Sequence, residues 1–200
     1  MKKHLLLPML FAGLWATPAC ATPYIGVSAG LGLLNKSDVT AGGHTVTDVV
    51  EYKAGVPFGV AIGFKSDEYR IEGAVSYQTY SVDNYLGVPA TGADAADVSA
   101  LLFMANGYYD FSIKDSGVSP YLTGGVGLAS VKSKSAGVTD PDESVFAWQV
   151  GAGLGFKASE NVVVDLGYRY FRTSDVTSKD GTMAFSVSGS NILAGIRYNF

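Results

Sequence analysis

The feature that most restricts the fold of this 200-residue chain is alternation. Beyond Thr22, apolar residues and small or polar residues exchange places in segments of roughly ten positions. A period of two belongs to β-strands, whose successive side chains point to opposite faces. Segment 50–64 shows it best: Val50, Tyr52, Ala54, Val56, Phe58, Val60, Ile62 and Phe64 share one face, and Glu51, Lys53, Gly55, Pro57, Gly59, Ala61 and Gly63 share the other. Segment 145–157 repeats the split, with Phe146, Trp148, Val150, Ala152, Leu154 and Phe156 opposite Ala147, Gln149, Gly151, Gly153, Gly155 and Lys157. In both segments one face is free of charge from end to end.

Eight such segments occur, at about 24–34, 50–64, 69–80, 97–111, 120–131, 145–157, 162–172 and 186–200. Their connections alternate in length. Stretches 65–68, 112–119 and 158–161 are short, whereas 35–49, 81–96, 132–144 and 173–185 are longer and rich in Gly, Ser, Thr, Asp and Asn. Short turns on one side and long polar loops on the other match the two ends of an outer-membrane barrel. The sequence therefore predicts an all-β chain with one domain over residues 22–200. That domain is an eight-stranded antiparallel up-and-down transmembrane β-barrel, with both termini periplasmic and four loops outside the cell.

Composition narrows the alternatives. Hydrophobic residues make up 48% of the chain and charged residues only 16%, against about a quarter charged in ordinary soluble domains. Beyond residue 21 there is no run of 18 uninterrupted apolar residues, so this hydrophobicity is not spent on a membrane-spanning helix. Low charge with a mean hydropathy of +0.21 opposes intrinsic disorder, and a net charge of −4 opposes a nucleic-acid partner.

The first residues read as a leader. Met1-Lys2-Lys3-His4 is basic, Leu5 to Ala16 is apolar, and Ala19-Cys20-Ala21 places small residues at the first and third positions of a cleavage site. Residues 1–21 are expected to be a secretory signal peptide, with Ala19 and Ala21 directing cleavage and the mature chain starting near Thr22. Cys20 leaves lipoprotein processing as an alternative, although Thr17-Pro18-Ala19 lacks the leucine such a site normally shows. Cleavage after Ala21 removes the single cysteine, and with it disulfides, thiol catalysis and cysteine metal sites. Removing Lys2 and Lys3 from the 14 basic residues leaves 12 against 18 acidic ones, a formal net charge of −6.

Alternation does not reveal which face is inside. A soluble lipocalin-like barrel would turn the apolar face inward, leaving an exterior of Gly, Ser and a few charges, thin for a soluble surface. Aromatic residues fall near strand ends at Phe64, Tyr69, Tyr109, Phe111, Phe156, Tyr168, Tyr170, Tyr198 and Phe200, as an interfacial girdle requires. With the apolar face toward lipid, the lumen receives Glu51, Lys53, Arg70, Glu72, Gln149, Lys157, Asp165, Arg169 and Arg197. An eight-stranded barrel is just wide enough for side chains to fill it, and buried ions must pair. Glu72 and Asp165 are thus expected as central acceptors for Arg70, Arg169 and Arg197, forming a plug; a narrow ion path is the alternative. In segment 97–111, Asn106 inward puts Leu101, Phe103 and Tyr109 outward, but the slipped register is also apolar.

The end of the chain, Ile192 to Phe200, has apolar or aromatic residues at every second position, Ile196, Tyr198 and Phe200 among them. It resembles the C-terminal strand recognised by the outer-membrane assembly machinery of Gram-negative bacteria. Tyr24-Ile25-Gly26-Val27, Tyr69-Arg70-Ile71-Glu72-Gly73, Ala105 to Phe111, Pro120 to Gly127 and Val164 to Tyr170 extend the resemblance. Together they are similar to the small outer-membrane β-barrel proteins of the porin superfamily, which include opacity-type surface antigens and the OmpA-like membrane domain. The resemblance implies a bacterial outer-membrane location, contact with outer-membrane lipid and the assembly machinery, a monomer, and a surface-exposed structural or interaction role of surface-antigen or adhesin type. Members of one fold differ chiefly in their loops, so an extracellular ligand would meet loop residues such as Tyr80, Tyr85, Asp140 and Asp142.

Some small outer-membrane barrels are enzymes, lipid A deacylases and palmitoyltransferases among them. Here only His44 remains after leader removal, in a loop beside Thr45, Thr47 and Asp48 and away from any lipid-facing groove. Asp140-Pro141-Asp142-Glu143 lacks the oxygen-rich spacing of a calcium loop and reads as a solvated acidic turn. The glycines alternate within strands, so no phosphate-binding loop is present. No enzymatic activity, cofactor or metal is expected.

Overall fold

The computed structural model describes residues 21–200 apart from 36, 42, 43, 53, 86, 87, 90–96, 115, 136, 137, 140–142, 175 and 178–182. Ala19, Cys20 and the rest of the leader, Lys53, Asp140 and Asp142 therefore lie outside the described residues, as do the side chains of His44, Glu51 and Tyr85.

Eight strands form the wall: β1 Thr22–Leu34, β2 Phe58–Ser66, β3 Tyr69–Tyr85, β4 Asp97–Asp110, β5 Val118–Ser135, β6 Glu143–Lys157, β7 Val162–Thr173 and β8 Ser188–Asn199. Each pairs antiparallel with its neighbours along the chain. The first and last close the ring in a register running from Tyr24↔Asn199 to Leu34↔Gly189. This is the predicted up-and-down barrel, and closure matters because a free strand edge would leave backbone groups unpaired in hydrocarbon. At the short-turn end, Ser66 and Tyr69 pair across Asp67-Glu68. Asp67 has φ 49°, a left-handed conformation that aspartate tolerates in turns.

Segment 50–64 is not one uninterrupted strand. Pro57 has no N–H to give to a ladder, and β2 begins one residue later, at Phe58. On the β1 side the pairing continues, with Gly30 N donating to Pro57 O at 3.0 Å and Gly32 and Gly55 exchanging bonds at 2.9 and 2.8 Å. On the β3 side it stops at Phe58↔Tyr77 and resumes with a register shift near Tyr52↔Val82. The upstream part, His44–Tyr52, forms a hairpin with Ser37–Ala41. Met183–Phe185 pairs with Ser37–Ala41 and with Val176–Thr177. Val88–Pro89 pairs with β3 and Val138–Thr139 with β5, so all four connections predicted as loops carry β-structure. The 17 and 18 residues of β3 and β5 also exceed the roughly 9–11 that a tilted strand needs to cross a bilayer.

The inside-out assignment is visible in exposure. Val27, Leu31, Phe58, Val60, Ile62, Leu122, Val126, Leu154, Leu166, Ile192 and Ile196 are all exposed on the outer wall, the reverse of a soluble lipocalin-like barrel. Aromatic rings meet on that wall near both ends: Tyr109 lies 5.2 Å from Tyr69 and 4.9 Å from Phe111, and Tyr198 lies 5.3 Å from Phe200 at the short-turn end. Trp148 and Tyr170 stand 5.8 Å apart toward the long loops. In β4 the register with Asn106 inward is adopted, so Leu102, Met104, Tyr108 and Asp110 are buried with it. The long-loop half of the lumen is uncharged among the described residues: an apolar cluster of Ala100, Leu102, Met104, Ala129, Ala147, Phe171 and Val187, with Leu34 and Val145 against them, lies beside the buried Gln78, Tyr80, Thr173 and Asn191.

Candidate functional site

The polar chemistry is concentrated in the other half of the lumen, toward the short turns. Arg70, second residue of β3, meets Asp110, last residue of β4, as an ion pair: Nε donates to Oδ2 at 2.9 Å and Nη2 to Oδ1 at 2.8 Å. Their side chains are 2% and 5% exposed, which makes this a desolvated, bidentate pair of the strong kind. Lys65 Nζ approaches Asp110 Oδ2 from β2 at 3.1 Å. The Arg70 guanidinium also lies 4.0 Å from the Tyr108 ring centroid and 5.1 Å from that of Tyr121, so its faces are covered by π-systems.

Glu72, two residues further along β3, accepts from neutral donors: Tyr24 Oη at 3.1 Å, Asn106 Nδ2 at 3.0 Å and Tyr108 Oη at 2.8 Å. Asn106 Oδ1 in turn accepts from Gln149 Nε2, and Tyr108 Oη accepts from Arg169 Nη2 at 2.7 Å. One carboxylate thereby ties β1, β3, β4, β6 and β7 together. A buried carboxylate with three donors is solvated by fixed dipoles without needing an ion pair. On the far wall, Arg197 Nη2 donates to Asp165 Oδ1 at 3.3 Å, and the guanidinium stands 5.5 Å from the Tyr24 ring centroid.

Glycine makes room for this furniture. A Cβ on Gly63 would sit 2.6 Å from Cζ of Tyr24, and one on Gly153 would sit 2.5 Å from Cζ of Tyr121. The inward tyrosines therefore lie flat against strands that have no side chain there. Between them remains a cavity of about 70 Å³, whose lining includes Glu72, Arg169, Arg197, Ser28, Gly59 and Gly195.

Several expected placements need correction. Arg70 pairs with Asp110 rather than Glu72, because Asp110 follows Asn106 at even spacing on the inward face of the neighbouring strand. Arg169 donates to a tyrosine hydroxyl and not to a central carboxylate. Lys157 is exposed at the last position of β6, where the barrel mouth meets solvent, and takes no part in the network. Tyr80 is 1% exposed and not a loop residue, since β3 continues past it to Tyr85. Its hydroxyl donates to Gln78 Oε1 at 2.6 Å and lies 3.3 Å from Asn191 Oδ1. The inward tyrosines and Asp110 were absent from the sequence-based set. Their even spacing with Gly26, Thr123 and Asn106 was the available signal.

A closed ring of antiparallel strands with an apolar coat, aromatic girdles and buried ions inside is the architecture of an outer-membrane barrel. The sequence profile of the outer membrane protein beta-barrel domain matches residues 5–200. The chain belongs to this family. Its place is accordingly the bacterial outer membrane, embedded in lipid. The outer membrane protein PagN of Salmonella typhimurium is 32% identical over 84 residues, which are 38% of this chain and 35% of that protein. The match thus spans about a third of the relative's length. Among solved structures, Neisserial surface protein A, NspA, aligns over 89% of this chain and 97% of its own with a TM-score of 0.61 and 21% identity. The outer-membrane protease OmpT of Escherichia coli aligns over 91% and 98% with a TM-score of 0.53 and 9% identity. Likeness at these identities is one of fold.

Proposed function

We propose that this family member is a surface-exposed structural and interaction protein, antigen- or adhesin-like, with its four long connections outside the cell and its lumen closed. The observation that carries this reading is the apolar layer beneath the long loops. Leu102, Met104, Phe171 and Val187 are each at most 5% exposed, and they fill this half of the lumen beside Gln78, Tyr80 and Asn191, whose polar groups meet one another. The polar half then acts as a plug that locks strand register. What the barrel presents to its surroundings is the β-structure of residues 37–52 and 183–185 and the remaining loops, where Tyr85, Asp140 and Asp142 are the contact candidates. NspA is by name a surface protein, in keeping with this role. No catalytic role is assigned, because the carboxylates Glu72, Asp110 and Asp165 are each engaged by donors of the lumen.

In the same reading residues 1–21 are an export leader cleaved after Ala21, and the assembly machinery reads Ile196, Tyr198 and Phe200. These three are exposed side by side on the outer face of the final strand, at 55%, 44% and 65%. The closed ring has no strand edge to share, which favours a monomer. The competing reading is a narrow channel, favoured by the cavity of about 70 Å³.

Protease treatment of intact cells tests orientation and exposure together. Cleavage should fall within 35–57, 81–96, 132–144 or 173–185 while the strands stay in the membrane fraction. Cleavage confined to 112–119 or 158–161 would invert the barrel, and protection until the outer membrane is permeabilised would overturn surface exposure.

A further inference from the structure

Two glycines of the lipid-facing wall have no internal reason to be glycine. Inside the barrel the residue is forced: a Cβ on Gly125 would strike the Asn106 amide, and one on Gly127 the carbonyl of Phe103. Gly107 of β4 and Gly124 of β5 are instead exposed on the outer wall, directly opposite one another in the ladder. A Cβ on Gly124 would meet nothing within 4 Å, and one on Gly107 only the carbonyl oxygen of Gly124 at 4.0 Å. Glycine weakens a strand, and its presence there often marks the close approach of another body. The pair forms the floor of a groove of about 410 Å³ walled by Ile71, Leu122 and the rings of Tyr69 and Tyr109, a volume within the range of small-ligand sites, about 300–1,000 Å³. The aromatic wall is set before anything enters. Tyr109 Oη donates to Glu68 Oε2 at 2.7 Å, and its ring meets those of Tyr69 and Phe111 edge-on.

These rings mark the short-turn interface, and the row Ile71, Gly107, Gly124 lies two residues nearer mid-bilayer, about 7 Å along the strands. A lipid with its headgroup at the girdle therefore passes an acyl chain over the glycines. We propose that this groove holds one acyl chain of a glycerophospholipid with a zwitterionic, amine-bearing headgroup. Hydrocarbon surrounds the whole wall, so apolarity alone selects nothing. Selection comes from dispersion contact with the pre-formed walls and from charge at the headgroup. Asp67 and Glu68 occupy the turn between Ser66 and Tyr69, with Glu68 beside the Tyr109 hydroxyl, and Lys114 is exposed in the following turn. Lys65 is held in the mouth by Asp110. Both signs are thus present at the girdle, carboxylates for an ammonium and a lysine for a phosphate. The inference takes only the leaflet, the periplasmic one, from the orientation proposed above; the groove and its charges are the same in an inverted barrel.

Native mass spectrometry tests the site on the barrel refolded in bilayers of phosphatidylethanolamine and phosphatidylglycerol in equal amounts and then extracted. One phosphatidylethanolamine should stay with each barrel. Gly107→Leu and Gly124→Leu should each lose it, and the open space at both positions lets these variants fold. Ala194→Leu, at an exposed position of the opposite wall, should keep it. A barrel without retained lipid, equal retention of the two lipids, retention unchanged by leucine at both glycines, or a dimer that the leucines abolish in place of bound lipid would overturn the site. Cleavage at the short turns on intact cells would overturn the orientation and leave the retained mass as it is, so the two failures are distinct.

Discussion

The two halves of the lumen are enclosed by the same eight strands and solve the filling problem in opposite ways. Toward the short turns, Arg70, Asp110, Glu72 and Arg197 are buried among tyrosines, Asp165 is half-buried beside Arg197, and each ion is met by a partner or a dipole. Toward the long loops, Leu102, Met104, Ala129, Ala147 and Phe171 pack as in a soluble core. The first half is held by pairing and fails when a partner is removed. The second is held by volume and fails when a side chain is shortened. In the proposed reading a lumen with both is closed twice over, once by paired ions and once by packed uncharged side chains.

The contrast can be broken at named residues, through urea unfolding of the refolded barrel in lipid vesicles. Asp110→Ala strands Arg70, whose side chain is 2% exposed. A loss of about 3–5 kcal/mol is expected for a buried cation left without its partner, and a loss below that of a surface pair would show water reaching the site. In the other half, Leu102→Ala should cost about 2–5 kcal/mol through the cavity it opens. A negligible change would mean that the apolar layer is not packed. On the wall outside both halves, Val60→Arg should cost about 2–4 kcal/mol near mid-bilayer, measured as a reduced folded fraction, whereas Gly59→Ser should be mild; an equal cost at the two positions would undo the inside-out assignment. Smallest is Glu72→Gln, at about 1–3 kcal/mol. Its three donors are neutral, so an amide keeps part of the pattern. A cost above that of Asp110→Ala would reverse the ranking of the two carboxylates.

The barrel was legible in the sequence because each strand must present lipid with one uncharged face, and alternation records that requirement directly. The lumen was less legible, for reasons visible at particular residues. Both registers of segment 97–111 are apolar at its start, so Leu102 and Met104 could not be assigned inward, and Asp110 was lost with them. Tyr24, Tyr108 and Tyr121 look like any other aromatics of a membrane strand until the ring is closed and their hydroxyls find Glu72 or Gly153. Pro57 fits the alternation as a small inward residue, but its missing N–H, which periodicity does not register, parts the ladder on one side. Tyr80 was placed among the loops because β3 is longer than the bilayer requires.

The central claim is closure, and planar-bilayer recording of the refolded barrel tests it most directly. The packed upper lumen and the paired ions below it predict a quiet membrane with no stable unitary steps. Stable, ion-selective steps that vanish when Arg169 and Glu72 are neutralised would contradict the account and make the barrel a channel.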